Sequence, residues 1–425
     1  MAASVKVAVD FGRADIVEPF VRHVSRRHFL KQTKVAIGGS VALSAAAYLP
    51  DAFAASDPTK QQGGPARGYG DRASYEHSAR LITPVGHDTT TASYTPLQDL
   101  HGSITPSSLH YERHHAGVPQ IEPKAHRLLI HGLVERPLEF TMSELQRFPA
   151  VSRVHFLECS GNSLTEWAKP TGKTVQETHG LTSCSEWTGV LLASVLKECG
   201  IKPSAAWVLA EGADGARMTR SLPLDKCMDD VILAYAQNGE MLRPEQGYPL
   251  RLIVPGWEGS ISVKWLCRLK VVEQPYQTRE ETSKYTDLMP DGTARQFTFV
   301  MEAKSVITFP SSGQTLPGPG FYEIRGLAWS GHGRVTRVDV SVDGSANWAE
   351  ARLQDPVLPM SHTRFYFPWR WDGTAVVIAS RCVDETGYQQ PTREALQAVR
   401  GVNSFYHYNG IQCWRISPGG AVANV

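Results

Sequence analysis

Apolar residues in this chain fall into short runs of two textures, and the change lies near residue 297. Before it, helical and strand patterns are mixed. Leu191, Leu192, Val195, Leu196 and Cys199 share one face at helical spacing, and Gly200 is placed to stop the helix. Arg153-Val154-His155-Phe156-Leu157-Glu158 alternates enough to predict a strand that ends at Cys159. Val231 to Tyr235 predicts another strand, with Asn238-Gly239 as the tight turn after it. Thr141-Met142-Ser143-Glu144 has capping-box spacing and should open a short helix. After residue 297 the pattern turns to strands alone. Val338, Val340 and Val342 alternate with Asp339, Ser341 and Asp343 before Gly344, and Phe365, Phe367, Trp369 and Trp371 lead to Asp372-Gly373. Short alternating runs cut by turn residues predict an immunoglobulin-like β-sandwich over residues 297–425. The fold class expected is α+β, a mixed domain over residues 100–296 followed by that sandwich.

The first hundred residues carry no such pattern. Residues 55–99 are rich in Gly, Pro, Ser, Thr and charge, and predict an extended arm lying on the surface. Ser25-Arg26-Arg27-His28-Phe29-Leu30-Lys31 reads as a twin-arginine export signal, followed by an apolar Gly/Ala-rich segment from Val35 to Leu49 and small residues at Ala52-Phe53-Ala54. The apolar segment is too short for a confident membrane span. Residues 1–54 are therefore expected to be a removable signal, and the mature chain to be periplasmic without a membrane span. That route carries folded proteins, often with a cofactor already inserted.

Composition narrows the classes further. The 425 residues include 43 Lys plus Arg against 42 Asp plus Glu, a formal charge of +1. Such balance gives no general attraction for nucleic acid or anionic lipid. The seven cysteines are odd in number and scattered, at 159, 184, 199, 227, 267, 382 and 413. No Cys-x-x-Cys pair occurs, which argues against a zinc ribbon, a thioredoxin-type site or covalent c-type haem on this chain.

The chemistry gathers around Glu158-Cys159-Ser160-Gly161-Asn162, where a strand gives way to a Gly/Asn turn. A thiolate on such a turn can project into a cleft while the strand fixes its position. A small buried cysteine is the plain alternative, and the spacing alone leaves both open.

Leu157-Glu158-Cys159-Ser160-Gly161-Asn162 resembles the cysteine motif of the sulfite oxidase family, whose thiolate binds molybdenum. Further stretches match that family in order. His110-Tyr111-Glu112-Arg113-His114-His115 resembles the segment that supplies an active-site Arg and a pterin-binding His, here Arg113 and His115. Glu211-Gly212-Ala213-Asp214 resembles a segment whose Asp contacts the cofactor. Gly247-Tyr248-Pro249-Leu250-Arg251-Leu252-Ile253-Val254-Pro255-Gly256, with Val263-Lys264-Trp265-Leu266, resembles the stretch that grips the pterin phosphate. Arg400-Gly401-Val402 resembles the last active-site arginine, Tyr285 stands where the family has its tyrosine, and Trp187 matches a tryptophan of the substrate pocket.

The resemblance implies a molybdopterin-binding domain, a sandwich that mediates dimer contact, and Mo-molybdopterin as cofactor. It implies Cys159 as metal ligand, with Arg113, His115, Asp214, Gln246, Arg251, Ser262, Val263 and Lys264 holding the pterin. Arg113, Tyr285, Arg400 and Trp187 are the implied catalytic residues, although core packing explains Trp187 equally well. Arg251 and Lys264 suit a phosphate as fork and point charge.

Two positions depart from the pattern. Leu164 stands where sulfite-oxidising relatives commonly carry an arginine, and Gln246 where some carry a pterin-binding His. From Leu157 through Val306, including Met301-Glu302-Ala303-Lys304-Ser305, the chain looks most like the SoxC-type molybdenum subunit of sulfane dehydrogenase. That likeness implies oxidation of sulfane sulfur on a carrier-protein cysteine in thiosulfate oxidation. It also implies a c-type dihaem cytochrome partner, and a homodimer within a hetero-tetramer. The competing expectations are a dehydrogenase of free sulfite, a protein sulfoxide reductase, and a non-catalytic interaction subunit without cofactor.

Overall fold

The computed structural model describes residues 62–85 and 87–425. The twin-arginine reading at Arg26 and Arg27 and the start of the arm lie outside the described residues. Residues 73–425 pack as one unit, and residues 62–72 are exposed irregular chain in another.

The arm departs from the expectation of an extended strap. Its second half forms β1 (Leu81–Val85) and β2 (His87–Tyr94), which pair antiparallel and continue into β3 (Glu112–His114). Thr90, Thr91 and Tyr94 favour strand, and the polar composition hid that preference from a search for apolar alternation. Ala92 faces Arg113 in this sheet, so the arm backs the segment that carries Arg113 and His115.

Two sheets follow, the first mixed and the second antiparallel. The first contains β4 (Arg127–Gly132), β5 (Leu138–Thr141), β8 (Trp207–Gly212), β9 (Thr219–Pro223) and β13 (Leu266–Val272), in the order β5-β4-β13-β8-β9. The second contains β6 (Ala150–Glu158), β7 (Thr182–Leu191), β10 (Ile232–Gln237) and β11 (Glu240–Met241), with β12 (Arg251–Ile253) also paired to β10. Helix α1 (Met142–Leu145) starts with the expected capping box on Thr141. A short α2 (Val175–His179) precedes α3 (Leu192–Cys199), which buries Leu192, Val195, Leu196 and Cys199 in a core shared by both sheets. Gly200 ends it with φ +71, a conformation open to glycine at little cost. Two further short helices, α4 (Leu224–Asp229) and α5 (Arg279–Thr282), and a ribbon of β14 (Asp287–Leu288) and β15 (Ala294–Arg295) complete this half.

The C-terminal half is a sandwich of two antiparallel sheets. One has the order β16-β17-β21-β20, from β16 (Lys304–Phe309), β17 (Gly320–Trp329), β20 (Arg352–Leu353) and β21 (Thr363–Trp371). The other runs β19-β18-β22-β23-β24, from β18 (Val335–Ser341), β19 (Ala349–Glu350), β22 (Val376–Asp384), β23 (Cys413–Ile416) and β24 (Val422–Asn424). Helix α6 (Arg393–Arg400) is inserted between β22 and β23. Val338, Val340, Phe365 and Trp371 face the core, as their alternation predicts. The same core takes in Leu97, Phe156 and Cys184 from the first half. The two halves therefore share apolar packing rather than a wet border, and the architecture is α+β.

Candidate functional site

Strand β6 delivers Cys159 to the lining of a cleft. The turn after it is held by its own sequence. Cys159 N–H donates to the Leu181 carbonyl at 2.9 Å, and Asn162 N–H donates to the Cys159 carbonyl at 2.8 Å. The Asn162 side chain donates to Glu158 Oε1 at 2.9 Å and accepts from Leu181 N–H at 3.1 Å. Glu158 is fully buried, where a lone carboxylate would be costly. Its oxygens accept from Lys304 Nζ at 2.9 Å and Trp329 Nε1 at 2.6 Å, both from the sandwich. The second half thus anchors the residue next to the cysteine.

The cleft wall brings together ten of the residues singled out in the sequence. Arg113, Cys159 and Tyr285 line it together with His115 and Asp214, and Gln246, Arg251, Ser262, Val263 and Lys264 form the rest of that set. Arg251 is buried and donates to the Gln246 carbonyl at 2.9 Å and the Ser262 carbonyl at 3.1 Å. Its Nε has no hydrogen-bond partner within the protein. Lys264 Nζ donates to the Glu245 carbonyl at 3.0 Å and sits 4.5 Å from the centre of the Trp265 ring. Burial pushes the Lys264 ammonium down to about 7 and the Arg251 guanidinium down to about 10. Among the described residues, neither forms an ion pair with a carboxylate. Two adjacent cations, Arg251 buried with an unused donor and Lys264 half-buried, fit a polyanionic group such as a phosphate.

Around Cys159 the chemistry differs. His115 Nε2 lies 3.2 Å from the Tyr285 hydroxyl. Burial, and then the Arg113 charge, push the His115 pKa down to about 4, so its imidazole is neutral near pH 7. Burial raises the Tyr285 phenol, with Cys159 adding to the effect, so the hydroxyl keeps its proton. Burial also raises the Cys159 thiol, while the Arg113 guanidinium opposes it. A bound metal displaces that proton outright. Among the described residues no three His, Cys, Asp or Glu side chains gather around a point. Cys184, Cys199, Cys227 and Cys382 are buried apart from the cleft with raised thiols, and all seven cysteines are free of disulfides. Those four buried cysteines are packing residues.

Two expected residues lie outside the cleft wall. Trp187 is fully buried on β7 and donates from Nε1 to the His155 carbonyl at 3.2 Å. The Arg251 guanidinium rests 5.0 Å from its ring centre. Trp187 is therefore a packed base under a pocket cation rather than a wall of the substrate site. Arg400 is buried at the end of α6, donates to the His407 carbonyl at 3.0 Å and lies 3.8 Å from Asp287. Its charge organises the loop beside the cysteine turn instead of facing the cleft.

A buried pair behind Tyr285 has no signature in the sequence. Arg220 donates to Glu258 at 2.6 Å, His407 lies 3.4 Å from the same carboxylate, and Arg220 stacks 4.9 Å from the Tyr285 ring centre. Burial alone would raise Glu258, but Arg220 and His407 hold it down to about 2. Tyr285 itself has φ +52, a left-handed conformation that a tyrosine keeps only where packing enforces it. Neither Arg220 nor Glu258 lies in a recognisable motif, because isolated charges usually belong to the surface.

Two family profiles match this chain: an oxidoreductase molybdopterin binding domain over residues 115–280 and a Mo-co oxidoreductase dimerisation domain over residues 295–413. A crystal structure of the sulfane dehydrogenase SoxCD from Paracoccus pantotrophus shares the fold with a TM-score of 0.85 at 47% identity, over 87% of this chain and 96% of that one. The chain belongs to the sulfite oxidase family. Within it, the chain is of the SoxC type, and the family's cofactor is Mo-molybdopterin. Its relatives also include the NADH nitrate reductase of Solanum lycopersicum, 34% identical over 71% of this chain and 38% of that protein. An NADH nitrate reductase of Phaseolus vulgaris is 36% identical over 65% of this chain and 35% of its own length. The chain spans well under half the length of those curated relatives. No helix among the described residues is long and apolar enough to cross a membrane.

Proposed function

We propose that this chain is the molybdenum subunit of a periplasmic sulfane dehydrogenase. It would oxidise sulfane sulfur held on a carrier-protein cysteine during thiosulfate oxidation and pass electrons to a c-type dihaem cytochrome. The observation that carries this reading is the likeness to SoxCD across nearly the whole of that chain, together with a cleft that holds Cys159, Arg113, His115 and Tyr285. A homodimer through the sandwich within a hetero-tetramer, and export by the twin-arginine route, belong to the same reading.

Arg251 and Lys264 would hold the cofactor phosphate, and His115, Asp214, Gln246, Ser262 and Val263 its ring edges. Cys159 would ligate the metal. When bound, Mo-molybdopterin supplies oxygen-atom transfer coupled to a two-electron change. The chain's own part is orientation and charge. Arg113 attracts an anionic sulfur–oxygen group, and Tyr285, protonated and bonded to neutral His115, offers it a hydrogen bond. Arg220, held against Glu258, fixes the Tyr285 ring from behind.

Oxidation of free sulfite is the second reading, and Leu164 bears on it. A Cβ placed on Gly161 would lie 3.8 Å from the Leu164 side chain and 3.9 Å from Cys159 Sγ, so Leu164 flanks the cysteine turn without adding a cation. One cation fewer favours a less charged, protein-borne sulfur group. The test is steady-state turnover of purified holoprotein on a persulfidated carrier and on sulfite, with molybdenum measured by elemental analysis. Faster turnover of the carrier is expected. Rapid sulfite oxidation with an inert carrier would replace the first reading by the second, and metal well below stoichiometric would favour a non-catalytic subunit.

A further inference from the structure

Tyr285 and His407 both hold their backbone in the left-handed region, with φ +52 and +59. Residues with a Cβ keep that conformation only where their surroundings over-determine it. One carboxylate reaches the two of them. Glu258 is 1% exposed, its Oε1 accepts from Arg220 Nη2 at 2.6 Å, and its Oε2 lies 3.4 Å from His407 Nε2. Arg220 carries the contact on to Tyr285, with its guanidinium 4.9 Å from the ring centre, and donates from Nη1 to the hydroxyl of Ser260 in the cleft wall. His407 carries it to the cysteine turn, where its backbone N–H donates to the Ser160 carbonyl at 2.7 Å. The chain after Glu258 presses on the residue before the cysteine. Gly259 N–H donates to the Glu158 carbonyl at 2.6 Å. A Cβ on Gly259 would fall 2.5 Å from the Tyr111 hydroxyl and 2.9 Å from the Glu158 carbonyl oxygen, so no side chain fits there.

A buried charge held by two partners has few geometries open to it. Removing the charge while keeping the shape frees both partners. Arg220 already faces a second carboxylate, Glu281 of α5, whose Oε1 lies 3.9 Å from Arg220 Nε. Glu281 is itself buried and accepts from the Ser221 hydroxyl and from Thr278 N–H, each at 3.1 Å. With Glu258 neutral, the Arg220 fork is drawn toward Glu281 and shifts beneath the Tyr285 ring. His407 loses the partner of its side chain, since its Nδ1 has none among the described residues. It keeps its backbone ties, to Ser160 and through its carbonyl to Arg400 at 3.0 Å.

We infer that Glu258 is a positioning residue: through Arg220 it sets the place of the Tyr285 hydroxyl, and through His407 it braces the turn that carries Cys159. This rests on the function proposed above for the roles of Cys159 and Tyr285, and adds what fixes their spacing. A metal ligand and a hydrogen-bond donor that serve one substrate must keep their relative place to about 0.5 Å. The two come from distant segments, and Glu258 is a group that both segments reach.

The test is a double-variant cycle in the holoprotein, with kcat expressed per bound molybdenum and ferricyanide as the electron acceptor. Glu258→Gln should lower kcat roughly tenfold and leave KM within about twofold, because a displaced hydroxyl costs rate more than binding. In the Tyr285→Phe background the same substitution should cost about threefold or less, since the hydroxyl it displaces is already gone. A role in stability alone leaves kcat per molybdenum at the wild-type value, and an independent effect costs the same factor in both backgrounds. Either result overturns the assignment. Hydrogen–deuterium exchange reads the other arm without any substrate. The amide at position 407 should exchange roughly tenfold faster in Glu258→Gln, with the amides of β17 and β21 unchanged, and an unaltered amide at 407 overturns the brace. Should Glu258→Gln not fold, Arg220→Lys takes its place in the cycle, keeping a cation on Glu258 but losing the flat face under the ring. His407→Asn, which tolerates the left-handed backbone and does not reach Glu258, then takes its place in the exchange measurement. A wild type inert toward both sulfite and the persulfidated carrier overturns the proposed function instead, and the exchange comparison still decides whether Glu258 braces the turn.

Discussion

Lys304 Nζ lies 2.9 Å from Glu158 Oε1, and this buried ion pair joins the sandwich to the residue preceding Cys159. Trp329 satisfies the second carboxylate oxygen, so the charge is paired and bonded on both sides. Removing one partner of such a pair leaves an uncompensated buried charge, at a cost of about 3–5 kcal/mol. Lys304→Met should therefore lower the free energy of unfolding by that order, measured by denaturant titration of the full chain. The double variant Lys304→Met/Glu158→Gln should recover part of the loss. Equal stability of Lys304→Met and wild type would show that the pair contributes nothing.

Arg251 and Lys264 should govern cofactor retention rather than the fold. Each offers a charge-assisted bond worth about 1.5–3 kcal/mol to a phosphate oxygen. Lys264→Met should release the pterin roughly tenfold or more faster from holoprotein, followed by fluorescence of the freed pterin. Arg251→Gln should do the same and also lower stability, because Arg251 bonds two backbone carbonyls that would lose a donor.

The same lysine gives a pH signature in the apoprotein. Its pKa is held down to about 7 by burial, against 10.5 when unfolded. Below about pH 7 both states bind the proton and the penalty for burying the charge is fully present. As pH rises from about 7 to 10.5 the unfolded state holds the proton longer, so stability increases with pH. Bound phosphate favours the ammonium and should flatten that slope. Urea unfolding of apo and holo forms at pH 7 and 9.5 checks it, and a flat apo response would contradict the desolvated lysine.

The parts of the site that sequence made legible are those with local rules. The strand into Cys159, the capping box at Thr141 and the stop at Gly200 each follow from spacing within one element. Arg113, Arg251 and Lys264 were legible because their motifs are ordered along the chain. Trp187 and Arg400 show the limit. Their motifs give position in sequence, but whether a long side chain faces a cleft or lies beneath it depends on layers packed from distant segments. The pair Arg220–Glu258 and the anchor Glu158–Lys304 join residues 38 and 146 positions apart, so no window on the sequence could display them. The strands β1 and β2 were missed for another reason, since their pairing with Arg113's segment is backbone bonding that polar side chains neither reveal nor prevent.

Cys159→Ser should remove turnover while leaving the fold in place. The hydroxyl can accept the bond geometry of the turn, because the cysteine is held through its backbone to Leu181 and Asn162. It is a poor substitute for a thiolate as a ligand of a soft metal centre. Far-ultraviolet circular dichroism should match wild type while turnover on carrier or sulfite falls below detection. Wild-type turnover in the serine variant would rule out Cys159 as the ligand.

Leu164 offers a gain-of-function experiment on the choice of substrate. It stands beside the cysteine turn, 38% exposed, where a longer side chain has room to extend. Leu164→Arg adds one cation beside the cysteine turn at a partly solvated site, where a single charge contributes about 1 kcal/mol or less. The KM for sulfite should then fall by roughly twofold to fivefold at low salt, with the benefit fading as ionic strength rises past the point where the Debye length is about 10 Å. Turnover of a persulfidated carrier should not improve, since its sulfur carries less charge than sulfite. A fall in KM for both substrates alike would mean that the added arginine acts on the cleft in general, and that Leu164 does not select between them.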